Sequence, residues 1–362
     1  MSAIDLAARW EALGRGEESP LPTTPVEQKP HTYYKPLEDA ADEFVRWAQS
    51  PHERIYTGFN DLDREMRGIA AGEMALIIGY SHSGKTLTLL EMLKANRNKN
   101  IIYFVPDEPR TLVLIKLACV THGVNAIDLE RMIAADDPTA INLLKETANE
   151  HFPTLAVLDQ PMALSDMERA MSEVSDMWNQ KPDLVVFDYL ELLQGGGEDV
   201  PSKANTLKAW GRRHDVPLLV LHQTSRTSGS EGKKMTISSG SFGGEQQATH
   251  IIGVRRKRFE IDAQIRELET KLDKSSASER AMEQLDNLRY EARIHTHTLT
   301  LNLVKNKRPP SRLVEEVDFR LDQETGRLTP IFKLPEEDEP DATLPMAYST
   351  GKSARDLLKE RE

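Results

Sequence analysis

The sequence predicts an α/β fold: a mostly parallel sheet covered by helices on both faces, with a helical hairpin inserted late in the chain. Three observations predict it. Short apolar runs recur that are continuous rather than alternating, as the buried strands of a doubly covered sheet require. Segments with helical spacing of apolar residues lie between them, the order of βαβ units. The first run, Met74 to Ile78, leads directly into a glycine-rich segment and a helix-forming stretch.

The elements follow in order. Residues 1–14 form a short amphipathic pattern, with Ile4, Leu6, Trp10 and Leu13 broadly on one side. Residues 15–36 are polar and carry five prolines, which reads as an extended linker. A helix is expected over residues 37–49, and the core is expected to start near Arg54. Strands are then expected at Met74–Ile78, Ile101–Val105, Leu155–Leu158, Leu184–Phe187, Pro217–Leu221, Thr298–Val304 and Val314–Phe319. Between them, helices are expected from the glycine-rich segment to about Asn96, then over Arg110–His122, Ala163–Asn179 and Lys203–His214. Residues 258–293 break the rhythm. Ile261, Ile265, Leu268 and Leu272 form one helical stripe and Met282, Leu285 and Leu288 another, across a Lys-Ser-Ser-Ala-Ser turn. Two charged helices in a projecting hairpin explain this. Residues 334–350 are acidic and contain proline, a composition that stays disordered.

Composition bounds the function. At 362 residues, 39% hydrophobic and 29% charged, the chain has a real core plus solvated arms. A formal charge of −12 argues against a uniformly basic nucleic-acid coat, although local patches matter more than the total. Cys119 is the single cysteine and sits in an apolar stretch, so a buried core role is expected. There is no 18-residue apolar run and no signal-peptide pattern, which points to a soluble, cytoplasmic protein without a membrane partner.

The chemistry concentrates at Gly79-Tyr80-Ser81-His82-Ser83-Gly84-Lys85-Thr86, which fits G-x-x-x-x-G-K-[ST], the phosphate-binding P-loop. Glycines let the loop turn tightly so that backbone N–H groups close on phosphate oxygens. Lys85 is placed to reach the β- and γ-phosphates, Thr86 to hold Mg²⁺, and the following helix to aim its dipole at the anion. ATP and Mg²⁺ are the implied ligands. Leu184-Val185-Val186-Phe187-Asp188 has the Walker B form, with Asp188 as the second Mg²⁺ carboxylate. Asp188 as a mere helix cap is the alternative. Hydrolysis also needs a group that orients water. Glu108, at the end of the second strand, is the first candidate and Asp107 the second; both also suit a helix start. Gln223, after the strand ending at Leu221, is placed to sense the γ-phosphate, although a plain loop residue looks the same.

The order of these features resembles the ATPase domain of DnaB-type hexameric replicative helicases, within the RecA-like P-loop family, over roughly residues 54–320. TGFNDLDREMRGIAAGEMALIIGYSHSGKT resembles that family's entry segment and P-loop. LVVFDYLELL resembles its Walker B strand, where the family usually has Asp-Tyr-Leu-Gln. VPLLVLHQTSR resembles its Gln-bearing motif, and GGEQQATHIIGV the segment after its DNA-binding loop. KNKRPPS resembles the Lys-x-Arg finger that members extend into a neighbour's site, with Arg308 as first choice and Lys307 close behind. The resemblance implies a RecA-like core over 54–333, including the 258–293 insertion, after N-terminal helices and linker over 1–53 and before an acidic tail over 334–362. It further implies an ATP hydrolase translocating on single-stranded DNA as a hexameric ring, with replication proteins as further partners. Only about 50 residues precede the core, as in a reduced, phage-type form. The stretch Ile237 to Gly244, where the family's DNA-binding loop carries charge, has none; Arg255, Arg256, Lys257 and Arg258 either neutralise phosphates or solvate the hairpin base. A recombinase or strand-annealing ATPase is the alternative. A structure-specific nuclease lacks the carboxylate cluster it needs, and Asp188 with Glu108 argues against a non-enzymatic clamp.

Overall fold

The computed structural model describes residues 37–224, 236, 246–274 and 279–331. The expected helix at 1–14, the linker at 15–36, the uncharged loop at 237–244 and the acidic tail from 334 lie outside the described residues. The chain divides into two units, Met1–His52 and Glu53–Glu362. In the first, α1 (Leu37–Gln49) forms as expected; Phe44 and Trp47 stack at 5.5 Å between centroids, and no residue of the helix is buried.

The second unit is built on one nine-stranded sheet in the order β3-β2-β4-β5-β1-β6-β7-β8-β9. Strands β1 (Met74–Gly79), β2 (Ile101–Phe104), β3 (Leu155–Leu158), β4 (Leu184–Phe187), β5 (Leu218–Gln223) and β6 (His250–Arg256) run parallel. Strands β7 (Thr298–Asn306), β8 (Val314–Leu321) and β9 (Leu328–Pro330) extend it antiparallel. Every residue of β1, β2 and β4 is buried, which is why these strands read as continuous apolar runs. Alternate residues feed two cores, one on each face: Ala75, Ile77, Tyr103 and Val186 on one side, Leu76, Ile78, Phe104 and Phe187 on the other.

Helices cover both faces: α2 (Asn60–Met66), α3 (Lys85–Ala95), α4 (Arg110–His122), α5 (Ala126–Ala134), α6 (Pro138–Glu146), α7 (Leu164–Trp178) and α8 (Val200–His214). Cys119 on α4 is buried, as expected. The α8 helix starts earlier than the apolar pattern indicates, because Asp199 accepts from the Ser202 N–H at 2.7 Å and Pro201 tolerates the first turn. Sequence periodicity missed α5 and α6. Each buries a single residue, Leu129 or Ala140, so their apolar stripes are faint; the caps Asn125 and Asp137 were the readable signal. It also missed β6. Antiparallel helices α9 (Lys257–Lys274) and α10 (Glu279–Ile294) form the expected hairpin, with Ile261, Leu285 and Ala292 buried.

The basic run at the hairpin base is resolved in favour of structure. Arg255 is buried and pairs with Glu260 and Glu316, and Arg256 bonds the Thr296 carbonyl at 3.1 Å. Lys257 meets Asp318 at 2.7 Å, and Arg258 meets Asp262 at 2.8 Å. These residues tie the hairpin to β8 and to itself, and Arg255, Lys257 and Arg258 each meet a carboxylate.

Candidate functional site

The parallel register aligns the strand ends that carry the chemistry: Gly79 pairs with Gln223, and Phe104 with Phe187. Residues that follow these ends meet at the carboxyl edge of the sheet, where open α/β folds bind ligands.

The loop after β1 closes on itself through the Ser83 N–H to the Tyr80 carbonyl at 3.1 Å. Gly84 caps α3 at φ +104°, and a Cβ there would lie 2.3 Å from Leu299 Cδ1. Only glycine fits. Gly79 is equally confined, because an added Cβ would meet Ser83 Oγ at 2.5 Å. Ser81, His82 and Thr86 lie on the rim, with His82 exposed and Thr86 in the first turn of α3. The Ser83 hydroxyl is buried with no partner among the described residues. Lys85 Nζ donates to the carbonyls of Gly79 and Tyr80 at 2.8 and 2.9 Å. Burial pushes its ammonium down to about 8, while the nearby charges of Asp188 and Glu191 pull the other way. An orphaned hydroxyl, a lysine held only by loop carbonyls and a helix N-terminus fit a polyphosphate.

Asp188 is buried at the end of β4, and the Tyr103 hydroxyl donates to its Oδ2 at 2.8 Å. Burial raises its carboxyl to about 6 despite that bond, and the charge of Glu108 adds to the rise. Asp107, by contrast, is exposed and accepts from the Tyr189 hydroxyl at 3.0 Å. Both oxygens of Glu108 are held by Lys116 at 2.6 Å, a partner that sequence reasoning missed. Gln223 ends β5, its N–H donating to Glu191 Oε1 at 3.0 Å. Glu191 was also missed; it adds a carboxylate beside Lys85.

Arg308 is held within its own chain. Its guanidinium is turned inward onto Glu73 at 2.5 Å, with only 10% of the side chain exposed. Glu73 also faces His250, which is fully buried, at 3.5 Å. A carboxylate this enclosed needs a cation, and Arg308 supplies it within its own chain. Lys307 is exposed, and its N–H bonds the Thr249 carbonyl at 3.1 Å. It lies close to Lys208, whose ammonium is lowered by burial and then by the charges of Lys307 and Arg212.

One further group of metal-ligating side chains stands apart, at His122, Glu146 and His151. Arg97 donates toward His151 Nδ1 at 3.3 Å, and the charge of Arg327 bears on His122. Two guanidinium groups thus bear on this group of side chains. Among the described residues, no single helix is long and apolar enough to cross a membrane.

The family model for the DnaB-like helicase C-terminal domain matches residues 54–286, more than half of the chain. The replicative DNA helicase DnaB of Geobacillus stearothermophilus is 24% identical over 188 residues, covering 48% of this chain and 40% of that protein. The corresponding Treponema pallidum helicase is 23% identical over 229 residues, with 60% and 51% covered. The chain thus spans about half or less of the length of these relatives. Among solved structures, an ATPase domain superposes with a TM-score of 0.59 at 18% identity, covering 83% of this chain and 100% of that one. A DnaB-like replicative helicase, solved with its interactions with primase, gives 0.59 at 17% identity, with 82% and 67% covered. Both carry the RecA-like P-loop fold read from the sequence.

Proposed function

We propose, for a chain that belongs to the DnaB-like helicase C-terminal domain family, that it is an ATP-hydrolysing motor that translocates on single-stranded DNA and separates duplex. The observation that carries this reading is the meeting of Lys85, Asp188 and Glu108 at one sheet edge, around a loop whose Ser83 hydroxyl is buried without a partner among the described residues.

In this reading Lys85 leaves its loop carbonyls for the β- and γ-phosphates, and backbone N–H groups at the start of α3 hold the same anion. Thr86 and Asp188 would hold Mg²⁺, which when bound supplies neutralisation of phosphate charge. Glu108 accepts the proton of the attacking water once Lys116 releases it, and Gln223 senses the γ-phosphate. The site is shared between subunits of a hexameric ring. Lys307, exposed at the end of β7, takes the finger role, since Arg308 is paired with Glu73, and reaches the neighbour's nucleotide. Residues 54–333 act as the motor, with 1–53 and 334–362 as appendages. The protein works in the bacterial cytoplasm with other replication proteins.

The test is ATP hydrolysis with and without single-stranded DNA, together with unwinding of forks carrying each tail polarity. Stimulated hydrolysis and unwinding from one polarity are expected. Strand annealing without unwinding would move the chain to the recombinase-like alternative, and no ATP hydrolysis under any condition would remove the motor.

A further inference from the structure

Beside the phosphate loop sits a histidine–carboxylate contact that the proposed chemistry does not use. His222, on β5, is fully buried, and its Nδ1 lies 2.7 Å from Glu191 Oε1. The same oxygen accepts the Gln223 N–H at 3.0 Å. Glu191 follows β4 in the short turn after Asp188, and Lys203 of α8 pins its backbone carbonyl at 2.7 Å. Gln223 is in register with Gly79, the first residue of the phosphate loop, and the Thr224 N–H bonds the Gly79 carbonyl at 3.3 Å. Glu191 Oε2 is buried with no partner among the described residues.

We propose that Glu191 is a positioning residue of the phosphate site, held by His222 against the backbone of Gln223 and away from Lys85. The argument is one of competing cations. Glu191 has one oxygen without a partner among the described residues and its charge bears on Lys85, and a carboxylate in that position is drawn to the cation. If Glu191 swung onto Lys85, it would occupy the cation that a polyphosphate needs. The imidazole, 2.7 Å from the carboxylate, keeps it on the Gln223 side, so Lys85 stays on its loop carbonyls and Glu191 fixes the strand end that presents Gln223. Truncating the imidazole leaves the carboxylate without the contact that holds it.

The inference rests on the nucleotide-site reading, and the experiment separates the two. Binding of a fluorescent, slowly hydrolysed ATP analogue is measured for the full chain and for His222→Leu, Glu191→Gln and the double variant. Each is first shown to have a cooperative melting transition. His222→Leu is expected to weaken binding about tenfold, roughly the loss of one charge-assisted contact. Adding Glu191→Gln to it should recover the affinity to within about threefold, because an amide no longer competes for Lys85. If His222→Leu does not fold, Glu191→Ala serves: it should lower kcat with little change in KM, because Gln223 loses its anchor, and Glu191→Gln should retain more kcat than Glu191→Ala. Wild-type affinity in a folded His222→Leu, or a double variant as weak as the single, overturns the inference alone. So do Glu191→Ala and Glu191→Gln with the same kcat. A wild-type chain that binds no nucleotide overturns the site reading and this inference with it.

Discussion

Replacing Arg308 by alanine separates an anchor from a trans-acting finger. The guanidinium is bound to Glu73 at 2.5 Å, and the two side chains are only 10% and 23% exposed. Removing one partner of a buried pair costs about 3–5 kcal/mol. Glu73 keeps the Ala70 N–H at 2.8 Å and a little water, so the expected loss is roughly 2–3 kcal/mol. The assay is urea denaturation at pH 7, where the midpoint should fall with an unchanged slope. A companion change, Glu73→Gln with Arg308→Ala, should regain much of the loss, because no unpaired charge remains. The pH dependence has a defined sign. Burial pushes the Glu73 carboxyl up, but His250, the Ala70 N–H and the charge of Arg308 outweigh it and hold the carboxyl below its ordinary 4.5. Its contribution to stability is therefore present above pH 4.5 and lost as pH falls through the lower folded value. Arg308→Ala should flatten that acid limb. A variant with the wild-type midpoint and abolished ATPase activity would refute the anchor and return Arg308 to the neighbour's site.

Four other outcomes follow. Glu108→Gln should bind ATP yet turn it over very slowly, and if Asp107→Asn alone behaves so, the water-orienting carboxylate is the neighbouring residue. Gly84→Ala should lose nucleotide binding and cost stability, since its Cβ would meet Leu299 Cδ1 at 2.3 Å at φ +104°; a Kd and Tm equal to wild type would contradict the packing described. Tyr103→Phe removes the donor to Asp188 Oδ2, so stability at pH 7 should drop by about 1–3 kcal/mol and the Mg²⁺ concentration needed for half-maximal turnover should change. Mixing inactive Lys85→Ala subunits with inactive Lys307→Ala subunits should restore some hydrolysis; none, with mixed assembly shown independently, argues against a shared site.

What the sequence determined by itself was local. The Gly79–Thr86 loop is legible because a tight phosphate-binding turn restricts which residues its backbone accepts, and Gly79 and Gly84 are confined by contacts that leave no room for a Cβ. The parallel strands were legible because burial on both faces imposes a continuous apolar run, and Asp188 because it ends such a run. Short helices with one buried residue, and a β6 strand that ends in arginines, leave no such mark. Tertiary structure alone decided the pairings. Arg308 and Glu73, and Glu191 and His222, meet because strand order and register bring distant segments together, while Glu108 meets Lys116 of the helix that follows it. A charged residue looks the same in the chain whether it will face solvent, a neighbour's nucleotide or a buried partner. Only the fold fixes its distance to an opposite charge and the water left between them, and those quantities set its role.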